Sequence, residues 1–256
     1  MSFTDTHTHY LHRQYNKDRD ELIARLLNTG VDNIIECGTN TWSNEEALKL
    51  AKKFDNMYVT IGYFPVDTKE LEEDNSLIEK LEKQIIDNRD KVVGIGEIGL
   101  DYYHRGDPMI QKKWFIQQLK LAKKLRLPIC IHSREAEDDT LRILSRLGKY
   151  KGVIHCFAYG PEAMEELAEL GYYFGIGGTC TYRNNVDLRN AIKAMPLDRI
   201  VLETDCPFLT PLCYGRQRND SSRIDGVIAE IAKLKKITEK EVIDASKENV
   251  KKLYGI

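Results

Sequence analysis

Six side chains able to bind a metal or move a proton stand at the ends of short apolar runs. They are His7 and His9 in "FTDTHTHYLH", Glu97 in "GIGEIGLDYYH", His132 in "CIHSRE", His155 in "VIHCF" and Asp205 in "LETDCP". Alternation in the opening run puts Asp5, His7 and His9 on one face of a strand, if the strand runs that far. Four imidazoles and two carboxylates exceed the needs of a single catalytic ion, which commonly takes about three protein ligands plus water. They suit two divalent ions about 4 Å apart, with one carboxylate bridging. Glu97 is the bridging candidate, because in chain order it rises between the His7/His9 pair and the His132/His155 pair. The mixed nitrogen and oxygen set fits Zn²⁺ or Mn²⁺ comfortably and Mg²⁺ less so on softness alone.

Each residue alone has an ordinary explanation. His155 reads as a hydrogen-bonded core histidine, Glu97 as a helix cap, and Asp205 before Cys-Pro as a turn residue. Together these explanations do poorly. Buried imidazoles and carboxylates without partners are costly, and packing does not account for six of them at the ends of five runs.

The runs themselves define the frame. Besides the opening run they are "NIIECG" (33–38), "MYVTIGY" (57–63), "VVGIGEIG" (92–99), "LPICIH" (127–132), "GVIHCF" (152–157), "YYFGIGG" (172–178) and "RIVLETD" (199–205). Most are continuously apolar, as strands covered on both faces are. Between them lie segments of helical period. "RDELIARLLNTG" (19–30) ends in a capping Gly30, "QKKWFIQQLKLAKKLRL" (111–127) is stopped by Pro128, and "PEAMEELAELG" (161–171) opens with Pro and closes with Gly. About eight strand–helix repeats without a break in composition predict an α/β chain, a (β/α)₈ barrel in one domain over 1–256. The alternative is an open doubly wound sheet. In a barrel the strand ends converge on one mouth, which brings all six residues together.

Composition narrows the function. Lys and Arg number 38 against 40 acids, a formal net charge of −2, so there is no global basic footprint for wrapping DNA and any nucleic-acid contact is local. No stretch approaches the ~18 apolar residues of a membrane span, and no secretory h-region opens the chain. Six cysteines without a C-x-x-C pair predict reduced, mostly buried thiols and a cytoplasmic protein.

The order and spacing of these blocks resemble the TatD family of metal-dependent deoxyribonucleases, within the amidohydrolase-like barrel superfamily. The blocks are "DTHTH", "GEIGLDYY" (96–103), "LPICIHSRE" (127–135), "IHCF" (154–157), "GIGGTCT" (175–181) and "LETDCPFLTP" (202–211). The resemblance implies a TIM-type barrel, a divalent-metal site and phosphodiester hydrolysis, with His7, His9, Glu97, His132, His155 and Asp205 as metal ligands. Two places depart from it. The family's Gly-x-His-Pro reads "GYFPVD" here, with Phe64 in the His position, and its Arg-x-Asn-Glu-Pro reads "RQRNDSS", with Asp220 and Ser221 replacing Glu and Pro.

The expectation is a two-metal (Mg, Mn or Zn) phosphodiesterase acting on DNA, with Asp205 as general base and Glu97 beside it. Arg134 is a candidate for a phosphate oxygen, or else pairs with Glu135 or Glu137. Phe64 at the mouth stacks on a base or packs under a loop, and His12 and His104 are weaker substrate candidates. A mouth ringed by eight loops admits a frayed or single-stranded DNA end rather than a duplex, and Arg183, Arg216 and Arg218 are placed to grip it. Polarity from 3′ to 5′ is implied by the resemblance alone. No membrane partner is expected, and a monomer is favoured. The alternatives are hydrolysis of a small amide, ester or lactone, and a non-catalytic, metal-stabilised barrel that binds a partner. Many small-molecule hydrolases of this superfamily bridge their metals with a modified Lys where Glu97 stands here.

Overall fold

The computed structural model of the chain describes residues 2–104 and 106–256. Among these described residues, eight strands form one parallel sheet in sequence order: β1 (Phe3–Thr8), β2 (Val31–Cys37), β3 (Met57–Ile61), β4 (Val92–Asp101), β5 (Ile129–Arg134), β6 (Gly152–Ile154), β7 (Tyr173–Ile176) and β8 (Ile200–Leu202). The sheet closes on itself. Thr8 bridges Cys206 in parallel, the Asp205 amide donates to the His7 carbonyl (3.0 Å), and the His9 amide donates to Cys206 (2.9 Å). The result is a (β/α)₈ barrel. The described residues form ten α-helices that connect and cover it: α1 (Arg19–Asn28), α2 (Thr41–Ala51), α3 (Lys69–Glu73), α4 (Leu77–Asp87), α5 (Pro108–Leu125), α6 (Glu137–Leu147), α7 (Pro161–Glu169), α8 (Val186–Ala194), α9 (Ile224–Lys235) and α10 (Glu239–Tyr254).

Local chemistry sets the boundaries. α1 stops at Thr29, followed by Gly30 at φ 121°. α5 begins earlier than its apolar period suggests, because Asp107 caps it by accepting the Met109 amide and Pro108 fills the first turn. Two apolar clusters hold the barrel. One lies between strands and helices. The other fills the barrel interior with Ile35, Val93, Cys130, Val153, Tyr173 and Val201, closed from below by Val250, Leu253 and Tyr254 of α10.

That interior layer aims the chemistry. Side chains two apart on a strand share a face. Cys130, Val153 and Val201 therefore point inward at the packed level, and His132, His155 and Glu203 follow one step nearer the mouth. β6 and β8 end sooner than their apolar runs, at Ile154 and Leu202. Just beyond them Cys156 (φ 45°) and Asp205 (φ 55°) take the left-handed conformation, a costly one that Asp tolerates better than most residues. All six cysteines are free thiols, four buried, with Cys156 intermediate and Cys213 exposed. Among the described residues, no helix is long and apolar enough to cross a membrane.

Candidate metal centre

The six residues singled out by type and spacing meet at the C-terminal mouth. The two oxygens of Glu97 face different partners. Oε2 lies 3.5 Å from His7 Nε2 and 3.7 Å from His9 Nε2. Oε1 lies 2.9 Å from both His132 Nδ1 and His155 Nε2. Asp205 Oδ1 joins the first group, 3.2 Å from His9 Nε2 and 3.7 Å from His7 Nε2. Asp5 stays out of the cluster. Its carboxylate accepts the Thr204 amide (3.1 Å) and hydroxyl (2.7 Å), tying β1 to the segment after β8.

The donor set fits divalent cations on its own chemistry. His7 Nε2 and His9 Nε2 stand 3.1 Å apart, and His132 Nδ1 and His155 Nε2 stand 3.2 Å apart. Ring nitrogens that close, with a carboxylate oxygen beside each pair, call for a cation or a proton between them. Two groups, His7/His9/Asp205 and His7/Glu97/His155, bring their ligand atoms within 4.8 Å of one another. Burial disfavours the charged forms of Glu97 and His155, but their mutual attraction wins. Glu97 is held well below the usual carboxylate range by His155, His132 and His7, and His155 well above the usual imidazole range by Glu97 and Glu203. Burial likewise pushes Asp205 up, and His9, His7 and His155 more than offset it, keeping the acid ionised more readily than usual.

Several partners that type and spacing did not single out orient the imidazoles. Asp101 Oδ2 sits 2.9 Å from His132 Nε2 and 2.8 Å from His104 Nδ1, while its Oδ1 accepts the Tyr103 (3.0 Å) and His104 (2.8 Å) amides. With a cation between Nδ1 and Glu97, His132 would carry its proton on Nε2 and donate it to Asp101. Burial opposes the charge on Asp101, and these contacts outweigh it and hold the acid well below its ordinary range. Among the described residues, His155 Nδ1 has no hydrogen-bond partner; Glu203 Oε1 lies 3.7 Å away, and that carboxylate accepts the Cys156 amide (2.5 Å). His7 Nδ1 lies 3.4 Å from Cys130 Sγ. Glu36, fully buried, accepts the Thr8 hydroxyl and the Tyr10 and Leu11 amides (2.8–2.9 Å), so it fixes the loop that carries His9. These acids lie inside or next to apolar runs, and the one available signal was that each is a charge placed where water is excluded. Two glycines make room. A Cβ on Gly99 would stand 1.9 Å from the His132 carbonyl oxygen, and one on Gly175 would stand 1.9 Å from Glu203 Oε2.

The donors open into a cavity of about 400 Å³, lined by His9, His12, Phe64, His104, His132 and Asp205 together with Leu11, Trp42 and Phe208. The Phe64 ring meets His132 edge-on at 4.7 Å. The expected gripping cations are elsewhere. Arg218 pairs with Asp18 through both guanidinium nitrogens (2.6 and 2.9 Å) and covers Tyr15. Arg134 is exposed outside the cavity, stacked 3.8 Å above Tyr103, with no acid within salt-bridge distance among the described residues. Arg183 lines a separate pocket with Arg189 and Glu230, and Arg216 is exposed. The Asp220–Ser221 departure is structural. Asp220 Oδ1 accepts the Ser222 amide (3.0 Å) and Ser221 bonds the Tyr10 hydroxyl (2.7 Å), beside Asn219, whose side-chain amide donates to the Thr204 and Phe208 carbonyls.

Known proteins share this plan. The profile of the TatD-related DNase family matches residues 4–255. The chain is 37% identical over 256 residues to the uncharacterized metal-dependent hydrolase YabD of Bacillus subtilis, covering 98% of each. It is 31% identical over 253 residues to the 3′-5′ ssDNA/RNA exonuclease TatD of Shigella flexneri, covering 95% of each. The crystal structure of the TatD homolog YjjV from Escherichia coli superposes with a TM-score of 0.90 at 31% identity, over 99% of this chain and 98% of that one. The chain belongs to the TatD family of metal-dependent hydrolases.

Proposed function

We propose that this hydrolase is a deoxyribonuclease that removes nucleotides from single-stranded DNA ends, 3′ to 5′, using two divalent cations. His7, His9, Asp205 and Glu97 would hold one cation, and His132, His155 and Glu97 the other. The two-faced placement of Glu97 between those groups carries the reading. Bound there, the cations supply Lewis acidity, drawing charge from phosphate oxygens and making a nearby water a stronger acid. Asp205 is the proton acceptor. Its side chain is 18% exposed, and with Oδ1 turned to His9 and His7, Oδ2 is left to take the water's proton. Phe64 and His104 line the approach. Arg134 stands just outside, its planar face on Tyr103 and its donors in water. Arg218, engaged with Asp18, is a loop clamp in this reading. The exonuclease relative supports nucleic acid over small esters or lactones, and a cytoplasmic location suits that substrate.

The test uses linear and circular single-stranded DNA of equal sequence, with EDTA and with Mg²⁺, Mn²⁺ or Zn²⁺ added back. An RNA of the same sequence and a panel of esters and lactones run alongside. Loss of the linear DNA that is metal-dependent and much faster than that of the circle is expected. Equal loss of the circle overturns the end requirement, and turnover of esters or lactones alone overturns the nuclease assignment.

A further inference from the structure

The cavity at the mouth of the barrel is lined by aromatic rings. Among the described residues, no Lys or Arg lines it beside the donors. Yet of the large apolar side chains left exposed, three are aromatic: Trp42 (62%), Tyr103 (57%) and Phe208 (45%). All three sit on segments that follow strand ends, after β2, β4 and β8. Trp42 and Phe208 line the cavity itself, with half-buried Phe64 and Leu11.

Their positions are fixed from outside the cavity. Trp42 is in the first turn of α2, locked by a capping box in which Asn40 and Ser43 exchange hydrogen bonds. The neighbouring Thr41 hydroxyl is held by Glu70 (2.7 Å). The Phe208 amide donates to the Asp205 carbonyl (3.0 Å), and its ring meets His12 edge-on at 5.2 Å. In strand order Phe208 comes from one side of β1, and Trp42 and Phe64 come from the other. Leaving such rings in water forgoes the stabilisation that burial provides, so rigid exposed aromatics around one cavity point to a flat apolar ligand. About 400 Å³ is at the small end of ligand pockets, roughly 300–1,000 Å³. That is room for one nucleotide and not for a duplex.

We propose that Trp42, Phe64 and Phe208, with Leu11, form a subsite for the unpaired base of the terminal nucleotide, whose phosphate lies over the donor cluster; this rests on the nuclease reading. The donor cluster takes the phosphate, and the rings of Trp42, Phe64 and Phe208 offer flat apolar faces, which only an unpaired base can cover. Stacking accepts any base, so the subsite selects for an unpaired end and tolerates its sequence.

The experiment compares two oligodeoxynucleotides, alike except that the terminal residue of one is abasic. First, chelated protein is titrated with each while tryptophan fluorescence is followed. Of the two tryptophans, Trp42 is exposed and Trp114 is buried at 5%, so quenching reports on Trp42. The intact end should quench, the abasic end should not, and Trp42→Phe should abolish the signal. Second, with metal, Trp42→Ala and Phe208→Ala should raise KM for the intact end roughly 5- to 150-fold and leave KM for the abasic end unchanged. Equal quenching by both ends, no quenching by the intact end, or an unchanged KM in Trp42→Ala overturns the subsite. Base-dependent quenching without hydrolysis under any metal would keep the subsite and overturn the nuclease reading.

Discussion

Asp101→Asn tests whether the imidazoles are aimed by their outer partners. The Tyr103 and His104 amides require an acceptor at the Oδ1 position. An asparagine there keeps its carbonyl oxygen on those amides and turns its NH₂ toward His132 and His104. Two ring N–H groups that had shared a carboxylate oxygen at 2.9 and 2.8 Å then face a donor. His104 is 50% exposed and can turn to water, so little is lost there. His132 cannot escape in this way, with its side chain 16% exposed and Asp101 at 0%. It must lose its hydrogen bond to residue 101 or keep its proton on Nδ1, where that proton blocks the lone pair a cation would take. Loss of one charged hydrogen bond, about 1.5–3 kcal/mol, predicts a cation held roughly 10- to 150-fold more weakly on the His132 side. Calorimetric titration of the apoprotein with Zn²⁺ or Mn²⁺ reads this directly. The wild type should show two sites. In Asp101→Asn one should weaken by that factor and the other should be unchanged, while His104→Ala should match the wild type. Two unaltered affinities in Asp101→Asn would refute the reasoning, because His132 would then need no outer acceptor.

Asp205→Asn should preserve the melting temperature and lose roughly 10²- to 10⁴-fold in hydrolysis; turnover near wild type would remove Asp205 as proton acceptor. Gly99→Ala forces a Cβ against the His132 carbonyl oxygen at a φ of 144°. It should cost roughly 1–3 kcal/mol, read as a Tm lower by roughly 2–12 °C, and an unchanged Tm would show that the β4–β5 contact yields easily. Arg218→Ala breaks the forked contact with Asp18 and uncovers Tyr15, so stability should fall by about 1 kcal/mol with the KM for oligonucleotides unchanged. A raised KM would put Arg218 on the substrate.

The barrel was legible because most strands are continuous apolar runs and segments of helical period lie between them. The six donors were legible because charge at the end of such a run is costly without a purpose. Two strand ends were misjudged for a physical reason. "GVIHCF" and "RIVLETD" are apolar enough to continue, but the backbone leaves the ladder to turn His155 and Asp205 onto the mouth. Other residues were illegible because their meaning lies in distant partners. Asp101 reads as a turn acid until His132 stands beside it. Arg218 reads as a free cation, yet Asp18, 200 residues away, holds it. Trp42 lies in the polar stretch "TNTWSNEE" and gains its role only from the cavity that α2 borders.

The closure between β1 and the segment after β8 has a consequence for the order in which the molecule matures. Asp5 and Thr204 are joined across 199 residues, and the same seam sets His7 and His9 beside Asp205. In synthesis His7 and His9 emerge well before their acidic counterpart Asp205. Contacts so remote in sequence form late, after the entropy of closing the long loop has been met. His132, His155 and Glu97, by contrast, are complete on neighbouring strands well before that. The two halves of the centre therefore mature in sequence, the inner half first. The half containing Asp205 forms only once β1 and the segment after β8 are joined, so a chain stalled before that point holds only Glu97, His132 and His155 in place.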